Sequence, residues 1–309
     1  MIRMLAPCNG LASGRSSLQT AFACAALLLL SARSTVAQEK PAQKPLPPEV
    51  VSLKTTDEKT LSATYYPSRA GKEAAAVILL HVHGGDRTDL DTLACALQLS
   101  GSAVIVPDLR GHGDSTLGIK DLRADDYADM VRRDLESVKG FLMQQHNDGK
   151  LNIERLGIVG VEMGSTLALN WAVLDWSWPR LATGKQGQDV KALALISPEW
   201  TFKGMRINEA VVDPAVRSEL SLLIITGRRN ARLLSESKRL YNALARFHDV
   251  SPSQPIEKKT LFYEIPATSL QGMALLNEKS LAIQQMIVEF VDLRLIKPSL
   301  PWELRKPPL

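Results

Sequence analysis

Gly160-Val161-Glu162-Met163-Gly164 joins two unlike kinds of sequence. The apolar run Leu156–Val161 before it has the pattern of a strand buried on both faces, and Ser165–Asp175 after it reads as a helix. A glycine on either side of the central residue lets the backbone turn sharply from one to the other. The residue at the tip of that turn is acidic, Glu162.

Outward from this unit the chain alternates. The runs Ala75–His81, Ala103–Val106, Val190–Ile196, Leu222–Thr226 and Leu261–Ile265 are short and apolar, as strands of a parallel sheet are. Upstream, Val50–Lys54 and Thr60–Tyr66 read as two strands joined by a polar turn. Segments of helical spacing lie between the runs. One carries Leu90, Leu93, Ala94 and Leu97, and another Tyr127, Met130, Val131, Leu135, Val138 and Leu142. A third aligns Leu240, Ala243, Leu244 and Phe247, and the last Ile283, Met286, Ile287 and Phe290. Alternating strand and helix predicts an α/β domain with a doubly wound, mostly parallel sheet. Chemistry in such a sheet belongs to the loops beyond the carboxyl ends of its strands.

The ends read differently. Residues 1–37 have the form of an export signal: Arg3 and Arg15, a short apolar core Ala21–Leu30, and a small-residue cleavage site at Thr35-Val36-Ala37. The apolar core is shorter than the roughly 20 residues that span a bilayer, so the chain is expected to be exported, periplasmic or secreted, with no stable membrane anchor after cleavage. Residues 38–48 hold four prolines and read as a tether, 49–296 as the folded domain, and 297–309 as an irregular tail. Cleavage would leave Cys95 alone, flanked by leucines as a small core residue, and no intrachain disulfide. Three of the 37 basic residues lie in 1–37, which has no acidic residue, leaving 34 basic against 33 acidic. A near-neutral surface offers no footprint for nucleic acid.

Four landmarks in order resemble the α/β-hydrolase family over about Val50 to Ile296. His81-Val82-His83-Gly84-Gly85 follows the first parallel strand, like that family's oxyanion loop. Asp108-Leu109-Arg110-Gly111-His112-Gly113-Asp114-Ser115 looks like its D-x-R-G-H-G-x-S turn. Gly160–Gly164 has the frame of its G-x-S-x-G nucleophile elbow, and Leu223-Ile224-Ile225-Thr226-Gly227 resembles the strand before its acid. The resemblance implies a nucleophile, acid and histidine in that chain order, with an oxyanion hole from the backbone of Met163 and of Val82 or His83.

All three slots are altered. Glu162 stands at the nucleophile, Asn230 at the acid, with Glu199 as an alternative acid, and Gln271 at the histidine. The five histidines are His81, His83, His112, His146 and His248, so none follows the last strand. Glutamine has no proton that titrates near neutral pH and cannot replace a general base. The expectation is a non-catalytic pseudohydrolase that binds or scaffolds an unknown small molecule or protein, without cofactor or metal. The alternative is an active hydrolase of esters or similar small acyl substrates, working around Glu162 with His83 or His112. A carboxylate nucleophile is known chemistry, but its ester must still be released by an activated water.

Smaller expectations follow. Glu162 could fill the old oxyanion hole and accept the Met163 N–H, favoured by the helix dipole. Ser165 is expected to pack or cap inside the helix, and His81 and His112 to brace turns. Trp171, Trp176 and Trp178 read as packing residues rather than a groove. The short segment Pro198–Ser221 excludes a large lid and predicts an open cleft.

Overall fold

In the computed structural model the described residues are 44–182 and 184–305. Residues 1–37, read above as an export signal, positions 38–43 of the expected tether and the last four residues of the tail lie outside them.

Among the described residues ten strands form: β1 (Glu49–Lys54), β2 (Thr60–Tyr66), β3 (Ala75–Leu80), β4 (Ala103–Pro107), β5 (Asn152–Val161), β6 (Val190–Ile196), β7 (Thr201–Phe202), β8 (Met205–Arg206), β9 (Ser221–Ile225) and β10 (Leu261–Glu264). Eight make one sheet, in the order β1-β2-β4-β3-β5-β6-β9-β10. β1 and β2 pair antiparallel, as do β2 and β4, and every other pairing in the sheet is parallel. The apolar runs are strands because both faces of the sheet are covered. In β3, Ala76, Ile78 and Leu80 enter one core while Ala75, Val77 and Leu79 enter the other.

Nine α-helices accompany the strands among the described residues: α1 (Asp91–Leu99), α2 (Ala124–Asp129), α3 (Leu135–Asn147), α4 (Met163–Ser177), α5 (Asn208–Val212), α6 (Pro214–Ser218), α7 (Ala231–Ala245), α8 (Gly272–Leu276) and α9 (Ile283–Val291). α1 and α9 supply the core on one face, α3, α4 and α7 that on the other. A π-helical turn, Met130–Asp134, joins α2 to α3, so the periodic stretch from Tyr127 to Leu142 forms a continuous helical path. No helix among the described residues is long and apolar enough to cross a membrane.

Three features go beyond the sequence reading. β5 begins at Asn152, four residues before the apolar run. Pro198–Ser221 holds no large lid, but it is not bare: β7 and β8 form a hairpin, followed by α5 and α6. The tail is irregular over 297–305 yet pinned, for Arg305 is only 3% exposed and bonds Glu154 and Asp189. Trp171 is fully buried and Trp176 half-buried, whereas Trp178 is exposed and lines no core.

Candidate active site at the elbow

Glu162 sits where β5 turns into α4, at φ 50° and ψ −107°. A side chain on Gly160 would run into the backbone of Gly164, and one on Gly164 into the Leu80 carbonyl. The two glycines therefore hold the turn tight, and a non-glycine residue at its tip carries positive φ. Ser165 lies one turn inside the helix, fully buried, and its Oγ donates to the Gly160 carbonyl at 2.7 Å. That is the packing role expected of it.

The Glu162 carboxylate does not fill the oxyanion hole. It makes no capping hydrogen bond at the start of α4. It lies instead against Gly272, whose φ of 53° and missing side chain leave room for it. Burial, then the charge of Glu199, pushes its pKa above the ordinary glutamate value, and Arg232 opposes them only in part. Backbone donors aimed at the carboxylate would have pulled the pKa down. The Met163 N–H has no partner among the described residues, nor have those of Val82 and His83.

Gln271 occupies the place expected for the histidine and is locked by both ends of its amide. Nε2 donates to the Gly227 carbonyl at 2.9 Å, and Oε1 accepts from the Ser197 hydroxyl at 2.8 Å and the Gly227 N–H at 3.3 Å. Ser197, buried and at φ 51°, also accepts the Gly272 N–H at 2.9 Å. The loops after β6, β9 and β10 are thereby tied together. Asn230 takes no part, for its side chain accepts the Leu233 N–H and caps α7. Glu199 is held by Arg232 at 2.7 Å rather than turned toward Gln271.

The histidines gather elsewhere in the cleft. His81 is fully buried, and burial brings its pKa down to about 4. As a neutral ring it donates from Nδ1 to the Val82 carbonyl at 2.7 Å and accepts the Leu109 N–H on Nε2. His112 lies 4.8 Å from His81 and 5.4 Å from His83 between ring centres. Its Nδ1 meets the Arg110 carbonyl at 3.0 Å, and burial lowers its pKa as well. Both rings brace turns. His83 pairs with the Tyr127 hydroxyl at 3.1 Å, and Phe202 of the β7–β8 hairpin packs 5.5 Å from His83 and 5.8 Å from Tyr127. The cleft expected to be open therefore has an aromatic cover over His83. His146 bonds Leu151, Ile153 and Glu303, and His248 bonds Thr260. No imidazole among the described residues hydrogen-bonds Glu162.

Sequence reading gave Ser197, Gly272, Tyr127 and Phe202 no role in the site. Lys203-Gly204 was the one available signal for the hairpin, a turn with both residues at positive φ.

Sheet order, elbow and loop placement define an α/β-hydrolase fold. The serine aminopeptidase S33 family model matches residues 71–246. The chain belongs to that family. No curated protein matches it. Among solved structures it is similar to an esterase from Pyrococcus furiosus, at 15% identity and TM-score 0.57 over 81% of this chain and 92% of that one. A dienelactone hydrolase from Anabaena variabilis is similar at 17% identity and TM-score 0.56, over 82% and 100%. An esterase from Exiguobacterium antarcticum follows at 14% and 0.53, over 79% and 100%. Identities this low establish a common fold and nothing about activity.

Proposed function

We propose that this chain is a pseudohydrolase: it keeps the hydrolase scaffold, performs no nucleophilic catalysis, and binds a small molecule or a protein through the loops around Glu162. One observation carries the reading. The elbow carboxyl lies on Gly272 without an imidazole, while Gln271 commits its whole amide to Gly227 and Ser197. An ester formed on Glu162 would have no base to activate the water that releases it. Binding has means of its own, since the Met163 N–H is free to meet a ligand carbonyl or carboxylate and the half-buried Phe202 offers apolar surface. We place the protein outside the cytoplasm, periplasmic or secreted, on the form of residues 1–37.

The test is turnover of a short-chain aryl ester together with labelling by a fluorophosphonate probe. The natural chain is expected to be silent in both, and a Glu162→Ser, Asn230→Asp, Gln271→His variant to take the label. Ester turnover by the natural chain that Glu162→Gln abolishes would overturn the reading, in favour of hydrolysis through an unconventional site.

A further inference from the structure

A groove of about 440 Å³ runs between β10 and α9, far along the sheet from the elbow strand. Leu223, Phe262, Met286 and Phe290 make it apolar, and Phe262 and Phe290 meet edge to face at 5.7 Å. Ile256 stands at its margin with 57% of its surface exposed. Glu257, Glu264 and Glu289 rim it and form no ion pair among the described residues. The one cation in the lining, Lys297, is taken by Asp292 at 2.8 Å.

The groove adjoins an open sheet edge. Among the described residues β10 is the outermost strand and pairs with β9 alone. The Thr260 and Glu264 carbonyls accept from Leu222 and Thr226, so the even positions face β9. Leu261 and Tyr263 consequently turn their N–H and C=O groups outward, where no partner among the described residues takes them. Unpaired backbone of this kind is a template for another strand. A second copy of the chain is disfavoured as the occupant, since edge-to-edge pairing would bring the unpaired glutamates of two copies together.

We propose that this edge and groove bind an extended peptide segment carrying both basic and apolar side chains, which adds to β10 as a ninth strand of the sheet. Its backbone would satisfy Leu261 and Tyr263, its apolar side chains would cover Phe262 and Met286, and its lysines or arginines would meet Glu257, Glu264 and Glu289.

The test titrates the full chain with a short peptide built on the repeat Lys-Lys-Val-Val, which as a strand shows both residue types on each face. Binding is expected together with slowed hydrogen exchange at the Leu261 and Tyr263 amides, and Glu264→Gln with Glu289→Gln should weaken it roughly tenfold. No binding would overturn the proposal. So would equal binding by the Glu-Glu-Val-Val peptide, or by a version with proline at alternate positions, which cannot form a ladder. Protection of the same amides that rises with protein concentration and no peptide present would assign the edge to self-association instead. The peptide comparisons use the unmutated chain, so a variant that folds poorly leaves the result decided.

Discussion

Glu162 occupies a backbone conformation that side chains rarely adopt, at a cost on the order of 1–3 kcal/mol. Its carboxyl is half-buried without a hydrogen bond, and burial followed by the Glu199 charge raises its pKa above 4.5. A carboxyl that holds its proton more tightly in the folded state than in the unfolded one weakens folding as pH rises. The loss begins near the unfolded glutamate value and is complete above the folded one. Glu162→Gln removes the ionisation, so its stability relative to the natural chain should grow as pH rises from the ordinary glutamate value of about 4.3. Thermal unfolding across that range checks it; a difference independent of pH would mean that the carboxylate is solvated or paired. The identity of Glu162 at the elbow was legible from two glycines and an apolar run. Its direction was not, because the space at Gly272 comes from a loop more than a hundred positions away in sequence.

At the scale of elements, Asn230 separates a lost catalytic acid from a structural residue. Its side chain accepts the Leu233 N–H at 3.1 Å and opens α7. Asn230→Ala should cost about 1 kcal/mol in a denaturant melt, as removal of a helix cap does. Asn230→Asp keeps the acceptor and places a negative charge at a helix N-terminus, so it should be neutral or stabilising by up to about 1 kcal/mol. An aspartate variant as damaging as the alanine one would refute the cap. The same division decides which elements could be read beforehand. β3, β6 and β9 are buried on both faces and announce themselves as apolar runs. β7 and β8 have two residues each, with Thr201 and Arg206 exposed, so no hydrophobic pattern marks them. Phe202 reaches His83 only through that hairpin, and the cover over the cleft stayed hidden with it.

The whole molecule is closed by its tail. Arg305, from the irregular segment after α9, reaches Asp189 and Glu154, where Lys185 joins them at 2.9 and 2.6 Å. Lys139 of α3 bonds Asp175 of α4 and approaches Asp189 at 3.3 Å. Burial alone would push the Asp189 carboxyl up, but Lys139, Lys185 and Arg305 outweigh it and hold the pKa below the usual 3.8. A lowered folded-state pKa gives stability that is fully present at neutral pH and drains away as pH falls below the ordinary aspartate range. The network thus ties the end of the chain to the start of β6, on the side of the sheet that also packs α3 and α4. Composition could not reveal it, since the tail reads as irregular while Arg305 within it is a buried guanidinium. Taking one partner from a buried ion pair costs about 3–5 kcal/mol, and Lys139 and Lys185 remain here to share the load. Arg305→Ala should therefore lower stability by about 3 kcal/mol at neutral pH, and by less in acid, where Asp189 begins to take up a proton. Chemical denaturation at the two pH values checks both parts, and a loss below about 0.5 kcal/mol, the range of an ordinary surface substitution, would show the tail to be a passenger.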